Sequence, residues 1–176
     1  MNKENIVSII EQKHQELFDW LANSSEENWE KGPDERWTTG QQILHLVNTG
    51  KMLNKALKYP KFILKYKFGT SNRPSRSYED VAKRYQERLT ENKERAKEFN
   101  KGLRKPLTKE KQELTDSLQV LSKKLQYKTS KFKDKHLDTL LLPHPLMGRM
   151  TLREIIMWSA YHTEHHLQIL KNDYSS

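Results

Sequence analysis

TLREIIMWSAYHTEHHLQIL, residues 151–170, reads as a helix from its first residue. Thr151 can cap the first turn while Glu154 reaches back to the cap, a pattern that opens helices. Ile155, Trp158, Ser159, His162, His166 and then Ile169 or Leu170 follow one line at three-to-four spacing, the stripe a helix turns inward. His162 and His166 share that line, with Cβ atoms about 5–6 Å apart. Two imidazoles placed this way can reach a common metal ion. Glu164 lies about 200° round the helix from His162, so this is not a metalloprotease arrangement.

The same helical signals recur upstream. Lys3 to Ala22 carries Ile6, Ile9, Ile10, Leu17 and Trp20 at helical spacing, and Gly32-Pro33-Asp34 marks a loop. Thr38-Thr39-Gly40-Gln41 is a second capping box. The helix it opens continues through Ile43, Leu44, Leu46, Val47, Leu53 and Leu57, and stops before Pro60. Residues 60–76 read as a long connection with room for a short helical piece. A third helix is predicted from near Ser77 to Gly102, its narrow stripe including Tyr78, Val81, Tyr85, Leu89 and Phe99. Another runs from Thr108 to Gln126, followed by an exposed basic stretch from Lys123 to Lys135. Leu140 to Arg149, with Pro143-His144-Pro145 and Gly148, is expected to be a loop, because strand signals are weak throughout. Several long helices with few turns predict an all-α, antiparallel four-helix bundle, with residues 1–176 as a single domain.

Composition narrows the chemistry. The chain has no cysteine, which excludes disulfides, thiolate catalysis and iron–sulfur clusters built from its own residues. There is no glycine-rich phosphate loop and no nucleophile elbow. Met1 to Ile10 lacks the apolar segment of a signal peptide, and no apolar run reaches the length of a membrane span. A cytoplasmic protein is therefore expected. The net charge of +9 is unevenly placed: residues 51–135 hold 25 Lys and Arg against 10 Asp and Glu, or +15. The segments that carry the paired histidines are mildly acidic, which separates the candidate metal ligands from the candidate polyanion surface.

A third ligand must come from another helix, and His45 is the best placed. It lies inside the apolar run Ile43-Leu44-His45-Leu46-Val47, where a neutral imidazole needs a partner for its nitrogen. A metal ion is one such partner, and an ordinary hydrogen bond in the core is the competing one. Three neutral histidines would leave coordination positions open, as catalytic sites do. His165 points about 100° away from His166, behind the ligands or at the surface. His144 sits on the predicted loop, within reach of the site mouth. His14 and His136 have no supporting spacing. Trp37, Trp158 and Tyr161 can wall a pocket or simply pack in the core.

Two stretches resemble the DinB/YfiT-like family. Trp37-Thr38-Thr39-Gly40-Gln41-Gln42-Ile43-Leu44-His45-Leu46 is similar to the family's Trp-to-His-Leu opening of the second helix. His144-Pro145-Leu146-Met147-Gly148-Arg149-Met150-Thr151-Leu152-Arg153-Glu154, followed by Tyr161-His162-Thr163-Glu164-His165-His166, resembles its His-Pro lead into a helix bearing His-x-x-x-His. Lys51 to Lys135 matches only as helical filler. The resemblance implies a four-helix bundle with a long crossover connection. It also implies a divalent metal site made by His45, His162 and His166.

Two functions are then in view. One is a metal-dependent transferase or hydrolase holding zinc or nickel and acting on a small molecule, with a low-molecular-weight thiol implied by the family. Its catalytic residues beyond the ligands are not readable, although His144 and His165 are candidates. The other is a binding protein that uses the basic region 51–135 for nucleic acid or another polyanion; its stretch Lys58 to Phe68 alternates lysines with aromatics, a pattern open to a nucleic acid or to an anionic membrane surface. A homodimer is compatible with either.

Overall fold

The computed structural model describes residues 1–33, 36–99 and 101–174. Asp34, from the expected loop, and the Phe99 side chain, from the expected third stripe, lie outside what is described. Among the described residues, nine helices and one hairpin follow in order: α1 (Lys3–Asn23), α2 (Glu27–Glu30), α3 (Thr39–Ala56), α4 (Lys61–Phe68), α5 (Tyr78–Glu91), α6 (Lys93–Phe99), a 3-10 turn (Thr108–Glu110), α7 (Lys111–Lys131), α8 (Asp134–Thr139), β1 (Leu141–His144), β2 (Gly148–Thr151) and α9 (Leu152–Asp173). Among the described residues the fold is all-α apart from that hairpin and one isolated bridge between Thr70 and Leu140.

Each long helix begins and packs for local reasons. Asn2 accepts from the Asn5 amide at 2.8 Å and caps α1. Thr38 and Thr151 both form complete capping boxes, with Gln41 and Glu154 returning the bond to the cap amide. Helix α1 buries Ile6, Ile10, His14, Leu17 and Leu21, and α7 buries Leu114, Leu118, Ser122, Leu125 and Thr129. Both sets recur at three-to-four spacing, so each helix presents one stripe to its neighbours. Helix α9 differs: every residue from Leu152 to Trp158 is buried, so its first two turns are surrounded.

The four long helices contact one another in a ring, α9 against α1, α1 against α7, α7 against α3 and α3 against α9. Helix α5 packs on α9 from outside this ring, while α8 and the hairpin cover its first turns. Two apolar clusters result. One gathers Ile6, Ile10, Val81, Tyr85 and the start of α9; the other gathers Leu17, Leu21, Trp29, Ile43, Leu118 and Leu167. His45 lies between Leu44 and Leu46 of the second cluster, and His162 between Tyr161 of the first and Leu167 of the second.

Several local expectations are corrected. Residues 141–151 form an antiparallel hairpin with Leu141 opposite Thr151 and His144 opposite Gly148. Gly148 turns it with a positive φ of 73°. The third helix breaks at Asn92 into α5 and α6, where the Asn92 side chain donates to the Arg88 carbonyl at 2.8 Å and competes with helix continuation. Helix α7 runs on to Lys131, and its last turns are not wholly exposed: Leu125 and Thr129 are buried. The short helical piece in the connection is present as α4, and α2, α8 and the 3-10 turn were not foreseen.

Gly40 sits where α3 passes closest to α2. A Cβ there would lie 2.9 Å from the Trp29 carbonyl oxygen and 3.0 Å from its indole ring. Trp29 is itself fixed, 1% exposed with its ring N–H donated to the Leu107 carbonyl at 3.0 Å. Gly40→Ala is therefore expected to lose about 1–3 kcal/mol of stability, read as a lowered denaturant midpoint at unchanged slope.

Candidate metal centre

His45 enters from the middle of α3, His162 from the middle of α9 and His166 from one turn further on. The Nε2 of His162 lies 3.1 Å from Nε2 of His45 and 3.0 Å from Nε2 of His166. One ligand atom from each of the three lies within 4.8 Å of the others, and all three residues are buried. They form a group able to hold a metal ion. The three rings predicted from separate parts of the sequence thus meet at one point.

The chemistry of that meeting point is specific. His166 donates its Nδ1 hydrogen to the Gln42 side-chain oxygen, so its Nε2 presents a lone pair. Burial, and then the neighbouring imidazoles, hold His162 and His166 well below the ordinary histidine range, so both rings are neutral at pH 7. A single hydrogen on His162 Nε2 cannot point at both neighbours. A cation held at the common point would satisfy all three nitrogens. Tetrahedral coordination with bonds of about 2.0–2.1 Å separates its ligand nitrogens by about 3.3 Å, close to the two contacts above.

Aromatic rings restrain these imidazoles. Trp158 stacks on His162 with centroids 4.6 Å apart at 21°, one helical turn earlier on α9. Trp37 lies nearly parallel to His166, at 6.5 Å and 9°. Gln42 occupies the α3 face one turn before His45, and this spacing was a usable signal that the sequence reading missed.

Beside the three rings opens a cavity of about 310 Å³, a size suited to a small molecule. Helices α3, α5 and α9 wall it together with the hairpin. Among the described residues lining it, none is Lys, Arg, Asp or Glu. Of the two places open to them, Trp37 and Trp158 take the cavity wall, whereas Tyr161 packs in the core with its hydroxyl accepting from Gln86. His165, half-buried beside His166, also lines the cavity, so it stands next to the three imidazoles and within reach of the site.

Three polar rings face this space. His144 accepts the Leu146 and Met147 amides on Nδ1, both at 3.1 Å, which leaves its hydrogen on Nε2. Burial lowers its pKa to about 4, so it stays neutral at pH 7 and its Nε2–H is a donor. Burial, reinforced by Tyr161, raises the Tyr85 phenol far above its ordinary value and keeps it protonated. Sequence alone places Tyr85 on an apolar stripe, because nothing local distinguishes a packed tyrosine from one walling a site. His165 makes ring contacts with Tyr85 and His166, and no hydrogen bond among the described residues.

The other histidines stand apart. His14 is a core residue, Nδ1 on the Ile10 carbonyl at 2.8 Å and Nε2 facing the Thr163 hydroxyl at 3.4 Å. His136 lies among lysines on α8.

The sequence profile of the DinB superfamily matches residues 9–170. No curated protein and no solved structure gives a significant match.

Proposed function

The chain belongs to the DinB superfamily, and on that footing we propose that it is a metal-dependent enzyme, a transferase or hydrolase, in which His45, His162 and His166 hold one zinc or nickel ion beside a small-molecule cavity. The observation that carries this reading is the convergence of three buried imidazole nitrogens on one point at the edge of an uncharged cavity. A divalent ion held there supplies a Lewis acid and lowers the pKa of a thiol or water bound with it, giving a nucleophile near pH 7.

The protein's own groups have definable parts in this scheme. Gln42 fixes the His166 tautomer so that Nε2 is the ligating atom. Apolar walls from Leu53, Leu142, Ile155 and Trp158 exclude water and receive the apolar body of a substrate. The Tyr85 hydroxyl and the His144 Nε2–H are donors positioned to hold a substrate oxygen. With no charged side chain among the described lining residues, a substrate carboxylate or a charged end of a thiol belongs at the mouth.

The test is metal content after purification without chelator or nickel resin, followed by zinc and nickel titration with melting temperature as readout. Turnover is then screened with low-molecular-weight thiols and with esters, with and without the ion. Bound metal or metal-induced stabilisation is expected; neither being found would remove this reading. Gln42→Leu is expected to weaken metal affinity about 10–100-fold in chelator competition, because the His166 ring loses the partner that orients it.

A further inference from the structure

Helix α4 holds its place by one face alone. Leu64 is fully buried, while Phe62 is 72% and Tyr66 91% exposed one turn apart on the opposite side. Lysines 58, 61, 65 and 67 flank these residues along the chain, Lys67 lying over the Tyr59 ring at 5.8 Å, and no Asp or Glu occurs from Lys51 to Tyr78. The basic surface continues onto neighbouring elements. Lys128, near the end of α7, donates to the Asn54 side chain at 3.0 Å, which sets it near the turn that carries Lys58. Lys61, Lys133 and Lys135 likewise crowd the His136 imidazole. Tyr59 and Phe68, flanking and ending α4, line the cavity, as does Met52; Tyr59 and Met52 are 41% and 53% exposed.

We propose that this lysine–aromatic face docks the protein on an anionic lipid bilayer, with Phe62 and Tyr66 entering the interface and the cavity mouth turned toward it. Lysines are attracted to the anionic surface, and aromatic side chains gain by leaving water at the headgroup level. Among the described residues no helix is long and apolar enough to cross a membrane, so the contact is peripheral. A nucleic acid would answer the lysines equally well. The bilayer is favoured because Phe62 has no polar atom to present, and because an uncharged cavity suits apolar molecules that partition into lipid.

The test is co-sedimentation of the full chain with phosphatidylcholine vesicles, with and without about 30% phosphatidylglycerol. Binding is expected at low salt to the anionic vesicles alone, falling steeply as salt rises to about 0.3 M. The double variant Phe62→Ser/Tyr66→Ser, altered only at exposed positions, is expected to bind at least about tenfold more weakly. Lys61→Glu/Lys65→Glu, a second variant at exposed positions, is expected to remove binding. No binding at low salt, full binding by either double variant, or tighter binding of a single-stranded oligonucleotide would overturn the proposal, the last in favour of a nucleic-acid surface. The measurement needs neither metal nor substrate, so its outcome is independent of the metal centre.

Discussion

His162→Ala is expected to abolish the metal-induced rise in melting temperature. His162 is the hinge of the cluster, since its Nε2 lies within about 3 Å of each partner nitrogen. At a free ion concentration about a thousandfold above Kd, binding stabilises the wild-type fold by about 4 kcal/mol. For a chain of this size that corresponds to a rise of roughly 8–16 °C. Removing one of three ligands is expected to weaken binding on the order of 10³-fold, which brings the gain at the same ion concentration close to zero. The substitution also removes a buried ring stacked on Trp158, so a separate loss of about 1–3 kcal/mol is expected without metal. The decisive quantity is therefore the difference between metal-loaded and metal-free melting within each variant. His165→Ala serves as the control, because that ring lines the cavity outside the convergent group. Equal metal-induced shifts in His162→Ala and wild type would sink the assignment of His162 as a ligand.

The parts of this centre that were legible in sequence are those fixed by local geometry. Thr38 with Gln41, and Thr151 with Glu154, begin their helices through contacts three residues apart, so the pattern is readable without knowing the fold. The His162–His166 pair is legible for the same reason. His45 was reachable because an imidazole inside an apolar helical run needs a partner. What stayed hidden depends on distant packing. Residues 141–151 carry Pro143, which removes a ladder donor, and the hairpin persists because it lies against α4, α8 and α9. His165 projects away from its neighbour as helix geometry requires. Yet α5 covers that side of α9, and Tyr85 brings the cavity wall to it. The break at Asn92 arises from a side-chain bond to the Arg88 carbonyl, which competes with a stripe that by itself predicts one continuous helix.

Glu154→Ala is expected to destabilise the protein by about 3 kcal/mol, lowering the melting temperature by roughly 6–12 °C. The Glu154 side chain is fully buried and accepts five hydrogen bonds. Arg73 meets its two oxygens at 2.6 and 2.9 Å, the Arg76 amide and guanidinium add 2.8 and 3.2 Å, and the Thr151 amide adds 3.1 Å. Alanine removes both the cap and the carboxylate that holds the segment between α4 and α5 against the start of α9. Arg73 and Arg76 are about one-third exposed and can rehydrate, which keeps the expected loss below that of a pair buried on both sides. Glu154→Gln separates the two roles, since an amide can still close the capping box but brings no charge to the arginines. Burial by itself would raise the Glu154 pKa. The bonds from Arg73 and from the Arg76 and Thr151 amides outweigh it and hold the folded value below the ordinary 4.5. A depressed folded pKa means the charge's contribution is complete above about pH 4.5 and is lost as pH falls through the folded value. Denaturation midpoints of wild type and Glu154→Gln should therefore differ most near neutral pH and converge in acid; a gap constant across that range would rule the charge out. Because Tyr85 follows this segment on α5 while the three imidazoles come from α3 and the later turns of α9, Glu154→Ala is expected to loosen the cavity wall before it weakens metal affinity. Substrate turnover should then fall under conditions where metal binding is still intact.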